Sequence, residues 1–244
     1  MMPAGYATKG GYDIEAGVNG GLYPGMMESP QMRWAFIRKV YIIVFIQLFI
    51  CTAVSVAMYF TPAVKTFMKT PQGLIALICL VILTFILSLV MGCVSNKHPW
   101  NYLFLFLFTV AMAGMVGVIC VYKKGMPIMI AAGLTALIFV ALTLYTFWAA
   151  SRGSDFSFLG PFLICALLVL TVFGFMRVFI PMGNTGQLIY GCIGALVFSG
   201  FIIYDTDNLI KRFSYDEYIA AAACLFSDII NLFIAILNIL EGAD

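Results

Sequence analysis

The sequence predicts an all-α integral membrane protein, a bundle of seven transmembrane helices with its N-terminus in the cytosol. Three observations predict it. The 244 residues are 63% hydrophobic and only 10% charged, with a mean hydropathy of +1.05, whereas soluble domains are roughly 25% charged. Seven apolar runs each approach or exceed the roughly 20 residues that span a bilayer as a helix. The links between them are short, which favours antiparallel neighbours in one bundle and leaves no room for a second globular domain.

Taken in order, the chain opens with residues 1–32, rich in Gly, Tyr, Met and Pro. That composition cannot build a core and predicts a flexible cytosolic tail. It lacks the charged and apolar regions of a cleavable signal peptide. The membrane domain is expected over residues 33–244. Its helices are predicted at Val40–Phe60, Leu74–Cys93, Asn101–Val121, Pro127–Phe147, Phe158–Phe179, Gly186–Leu209 and Tyr218–Leu240. Lys and Arg set the orientation. An N-in topology leaves Lys9, Arg33, Arg38, Lys39, Lys97, Arg152, Lys211 and Arg212 inside, against Lys65, Lys69, Lys123, Lys124 and Arg177 outside. Trp34, Trp100 and Trp148 fall at helix edges, as an aromatic belt requires, and Arg177 is expected to snorkel to the interface. Gly114 and Gly117 in the third run, and Gly191 and Gly194 in the sixth, form small-residue stripes that let helices approach closely.

Composition also bounds function. A net charge of +2 with no basic cluster beyond two residues gives no nucleic-acid surface. The seven cysteines, Cys51, Cys79, Cys93, Cys120, Cys165, Cys192 and Cys224, are odd in number and irregularly spaced, so they read as packing residues rather than a disulfide or zinc framework. No Ser/His/Asp set, HExxH motif or phosphate-binding loop appears, and the chain is not expected to be an enzyme or to hold a cofactor. His98, the single histidine, sits in the polar link from Ser95 to Asn101 and reads as a solvated loop residue, although a pH-sensing role is chemically open to it.

The carboxylates carry the functional signal. Asp228 lies inside the seventh run, where a charge costs about 2.5–3.5 kcal/mol on insertion scales, so it calls for a partner or a hydrated cavity. The turn before it centres on Asp216 and Glu217, with Asp205 eleven residues before the one and Asp228 eleven after the other. In an antiparallel hairpin both lie at the same depth, at most about 16 Å from the turn. Asp228, Asn231, Ala235 and Asn238 share one stripe, and Asp205 ends the stripe of Gly191, Gly194, Phe198 and Phe201. Both carboxylates are therefore expected to face the bundle interior.

Two close carboxylates cannot both ionise freely, and they titrate as a unit. Protonated, they share a hydrogen bond; deprotonated, they repel unless a cation enters, and Ca²⁺ suits carboxylate and amide oxygens. The chemistry expected is a pH-gated cation path through Asp205 and Asp228, which would bind Ca²⁺ transiently, with Asn231, Asn238 and Asp207 as accessory pore or mouth residues. Asp205 also fits a solvated interfacial residue, and Asp228 a structural hydrogen bond to another helix. Asp207, two residues from Asp205, faces away and should meet solvent or Lys211.

Several segments together resemble one family. Arg38-Lys39-Val40-Tyr41 with Gln47-Leu48, Lys97-His98-Pro99-Trp100-Asn101, Tyr204-Asp205-Thr206, Glu217-Tyr218-Ile219 and Asp228-Ile229-Ile230-Asn231-Leu232-Phe233 resemble the Lifeguard branch of the Bax inhibitor family, the transmembrane BAX inhibitor motif proteins. The resemblance runs from about Arg33 to the C-terminus. It implies a seven-helix protein of cell-death suppression and calcium homeostasis, in the endoplasmic reticulum or Golgi, with plasma and vacuolar membranes as alternatives. It further implies a pH-sensitive calcium leak controlled by a di-aspartyl pair, matched by Asp205 and Asp228, and cell-death regulators among its partners. A non-conducting regulator acting through protein partners is the alternative role. Two departures stand out. Asp207 occupies a position where the family commonly has Gln. Bacterial members also latch an aspartate with an arginine near the end of the second membrane helix, and Met91 to Lys97 offers none; Lys97 could act only as a longer-range point charge.

Overall fold

A computed structural model describes residues 21–95, 97–179 and 183–243. Among them run eight helices: α1 (Pro30–Phe60), α2 (Pro62–Met68), α3 (Pro71–Val94), α4 (Trp100–Val121), α5 (Gly125–Ser151), α6 (Leu159–Phe179), α7 (Asn184–Lys211) and α8 (Tyr218–Gly242). All but α2 are long and apolar enough to cross a membrane. Helices are the expected solution, because hydrocarbon offers no partner for backbone N–H and C=O groups.

The seven expected spans are all present, and the largest difference is at α1, which starts at Pro30 rather than Val40. Pro30 occupies the first turn, where its missing N–H is harmless. Arg33, Phe36, Ile37, Val40, Val44 and Gln47 then follow helical spacing along one buried face. Hydropathy alone stops at the charges of Arg38 and Lys39, while the buried stripe continues through them. The short α2 escaped prediction because two turns of mixed polarity read as a loop. It too begins with a proline, and Thr70 caps α3 by accepting from Gly73 N at 3.2 Å, with Pro71 following.

α8 is the central helix. It packs against α1, α3, α4, α5 and α7, burying its apolar sides and turning the stripe of Asp228 and Asn231 toward a cavity inside the bundle. Leu225, Phe226, Ile229, Leu232 and Ile236 are buried on its several sides. α6 lies peripherally on α7 through Leu163, Leu170 and Val197. The outward faces of α1, α3, α5 and α6 carry exposed Phe, Leu, Ile and Val side chains suited to lipid. Trp34, Trp100 and Trp148 are also outward-facing, at the α1 start, the α4 start and the α5 end.

α7 and α8 make the most intimate pair. A Cβ on Gly191 would meet the Ala235 carbonyl oxygen at 2.8 Å, and one on Gly242 would meet Leu188 N at 2.7 Å. The stripes in α4 act likewise, Gly114 against Leu80 and Gly117 against Met58. Inside the bundle, Gln47 Nε2 donates to Thr109 Oγ1 at 2.9 Å, joining α1 to α4. Buried Asn101 donates to Ser95 O at 3.1 Å and accepts from Tyr102 N at 2.9 Å, closing the α3–α4 link.

Of the expected tail, residues 1–20 lie outside the described residues. Residues 21–29 lie against the bundle: Leu22 is buried in the main core, and Glu28 pairs with Arg33 at 2.6 Å.

Candidate functional site

The α7–α8 hairpin places Asp205 and Asp228 together. Both line one cavity of about 420 Å³ with Ser88, Cys224, Ser227 and Asn231. The two carboxyl groups are close enough to interact, so one acid can share a proton with the other's carboxylate. Without that proton, Asp228 Oδ2 is buried with no hydrogen-bond partner. Asp228 is the deeper, 8% exposed, and Asp205 is half-buried. No Lys, Arg or His lines the cavity, so nothing basic neutralises the pair. A site this apolar and this acidic calls for a proton or a cation.

Asn208 neighbours Asp205 one turn along α7. Asn208 Oδ1 accepts from Arg212 Nη1 at 3.2 Å, and Arg212 Nη2 donates to Asp155 Oδ1 at 2.6 Å. Arg212 thus ties the helix end beside the half-buried aspartate to Asp155. Burial pushes the Asp155 carboxyl up, but bonds from the Ser157 backbone and hydroxyl, with Arg212 and Lys211 nearby, hold it below the usual carboxylate range. Sequence reasoning missed Ser88, on a helix it had no means of placing beside α8.

The accessory residues separate. Asn231 shares the cavity with the pair. Asn238 does not: it lies ten residues along α8, about 15 Å away, and accepts from Gln187 Nε2 at 3.4 Å beside Glu241, which pairs with Lys123. Asp207 meets Lys211 at 2.6 Å, as its i, i+4 spacing predicts, but it is fully buried rather than solvated. α7 continues through Lys211 beneath the α5–α6 loop, where Asp207 Oδ2 accepts from Phe156 N at 3.2 Å and Lys211 donates to Ser154 O. Asp207 is a clamp on that loop and does not line the cavity of the pair.

His98 is exposed, and its Nε2 lies 3.4 Å from Tyr218 Oη. Tyr102 and Tyr218 hydroxyls meet at 2.7 Å, and Lys39 Nζ sits 3.1 Å from the Tyr218 ring centroid. Lys97 is exposed and lines no part of the carboxylate cavity, whereas Met91 and Gly92 of α3 do. Arg177 stacks over Tyr190 at 4.5 Å. Cys51 and Cys120 are interior packing residues; the other five cysteines are exposed, Cys224 into the carboxylate cavity. No group of three or more His, Cys, Asp or Glu side chains suited to a metal occurs among the described residues.

Comparison with known proteins places this arrangement in a family. A family model described as Inhibitor of apoptosis-promoting Bax1 matches residues 33–244. Protein LIFEGUARD 4 of Arabidopsis thaliana is 50% identical over 236 residues, covering 95% of this chain and 96% of that protein. Protein LIFEGUARD 2 of the same plant is 49% identical over 227 residues, covering 91% and 94%. A protein of Vaccinia virus (strain Lister) named Golgi anti-apoptotic protein is 36% identical over 213 residues, 87% of each chain. The chain belongs to the Bax inhibitor family, within its Lifeguard branch, and is an integral membrane protein.

Proposed function

We propose that this protein is a pH-sensitive calcium leak channel that regulates intracellular calcium and thereby suppresses cell death, with Asp205 and Asp228 as its gate. One observation carries the reading: two carboxyls from adjacent helices share a cavity with no basic neighbour, and an Asp228 oxygen is left without a partner. At acid pH a shared proton bridges the pair and holds α7 to α8. At higher pH the proton leaves, the two charges repel, and an entering cation replaces it. Two carboxylates and the Asn231 amide supply fewer oxygens than the six to eight Ca²⁺ takes, so the ion keeps water and binds transiently. That suits conduction, where entry must be favourable and exit easy. The membrane of the endoplasmic reticulum or Golgi is the proposed location, in keeping with the viral relative's name.

The test is calcium flux into dye-loaded liposomes containing the full-length protein, measured from pH 5.5 to 8. Flux rises with pH in the parent protein, and Asp228→Ala or Asp205→Ala removes the pH dependence. Parent-like flux in either variant refutes the assigned gate. The name Golgi anti-apoptotic protein also supports a second reading, a non-conducting regulator that acts on cell death through protein partners.

A further inference from the structure

The carboxylate cavity adjoins a second one, of about 330 Å³, and the two share Ser88, Phe108, Ser227 and Asn231. Together they form one cleft between α3 and α8, floored by α4. It runs from the carboxylates past Thr84 to Val81, Met115 and Ile234.

The polar groups along this cleft are biased toward acceptors. Ser227 Oγ donates its proton to Ala223 O at 2.7 Å, Ser88 Oγ to Phe85 O at 2.7 Å, and Thr84 Oγ1 to Leu80 O at 2.8 Å. Each hydroxyl has spent its hydrogen on its own helix, so what it offers a neighbour is lone pairs. The Asn231 amide oxygen adds another acceptor. No Lys, Arg or His lines either cavity. The buried, unpartnered Asp228 Oδ2 stands at one end of the row. Apart from the Asn231 NH2, the row offers acceptors, so a cation shedding water finds oxygen after oxygen.

We propose that Ser227, Asn231, Ser88 and Thr84 form a hydrated cation path between α3 and α8, and that Asn231 determines its selectivity for divalent cations. This rests on the cation-leak reading of the aspartate pair. It routes the ion along α3, the helix whose small Gly92 and uncharged Met91 border the pair, and away from the tightly packed α7–α8 seam at Gly191.

Two measurements on the full chain test it. A membrane-impermeant cationic methanethiosulfonate reacts only with hydrated thiolates, so Ser88→Cys, followed by peptide mass spectrometry, should label about tenfold faster than Leu83→Cys on the outward face of α3. Equal, slow labelling means the cleft is filled by lipid and overturns the path. In the liposome assay, Asn231→Leu should lower the Ca²⁺ to K⁺ flux ratio about tenfold while the pH midpoint set by the aspartates stays put. An unchanged ratio in a protein whose flux still depends on Asp228 overturns the role of Asn231 and leaves the gate standing. Fast labelling of Ser88→Cys in a protein that passes no ion overturns the conducting role and leaves the hydrated cleft.

Discussion

At the scale of single residues, identical side-chain types do different work according to depth and partner. Asp228 is buried in a cavity with no basic side chain, while Asp207 is more deeply buried yet paired with Lys211. A buried charge with a good partner is a structural device, and one without is a chemical one. Arg33 makes the same point. The sequence lists it among cytosolic charges, but it is 2% exposed, donating to Glu28 and to Phe213 O at 2.6 Å and packing between Phe36 and Tyr215. Bonds from Tyr215 and then Arg33 hold the Glu28 carboxyl below the usual carboxylate range. Its folded pKa is depressed, so its contribution is present above the unfolded carboxylate pKa and is lost as pH falls through the folded one. Glu28→Gln should therefore lower the melting temperature at pH 7 and lower it by less at pH 3. With Glu28 44% exposed, solvent screening keeps the effect on the order of 0.5 kcal/mol. Thermal melts in detergent at both pH values check it.

At the scale of elements, the α7–α8 hairpin sets the site. Its turn-centred symmetry was legible because two helices of equal pitch must place equidistant residues at equal depth. Its closeness was legible in the Gly191 and Gly194 stripe. Gly191→Val pushes a side chain into the Ala235 carbonyl oxygen, a backbone atom that cannot swing aside. The expected loss is about 1–3 kcal/mol or more, accompanied by reduced flux because the two aspartates separate. A variant that melts and conducts like the parent protein would show that the seam is looser than these distances imply. The start of α1 and the existence of α2 were not legible, because both depend on buried stripes and proline starts that a hydropathy window averages away.

At the scale of the whole molecule, one face gathers charge and aromatic rings while the other carries the Lys123–Glu241–Gln187 cluster. Residues 21–29 reach across the first of these to the α7–α8 turn through Leu22, Glu28 and Tyr215. Removal of residues 1–20 leaves those contacts in place and separates the two functional readings. Under the calcium-leak reading the truncated protein keeps both flux and protection from cell death. Loss of protection with flux intact supports the regulator that works through partners.

By itself, the sequence determined the membrane class, the seven spans and the candidate carboxylates, because length, hydropathy and helical spacing act locally along the chain. Gln47 and Asn101, conspicuous as motif residues, proved to be internal ties, since only packing shows what their amides meet. Tertiary structure alone decided that Asp207 is clamped, that Asn238 belongs to the opposite end, and that α3 brings Ser88 to the aspartates. Those outcomes depend on which helices become neighbours, and short links between apolar helices leave that choice to side-chain packing around α8.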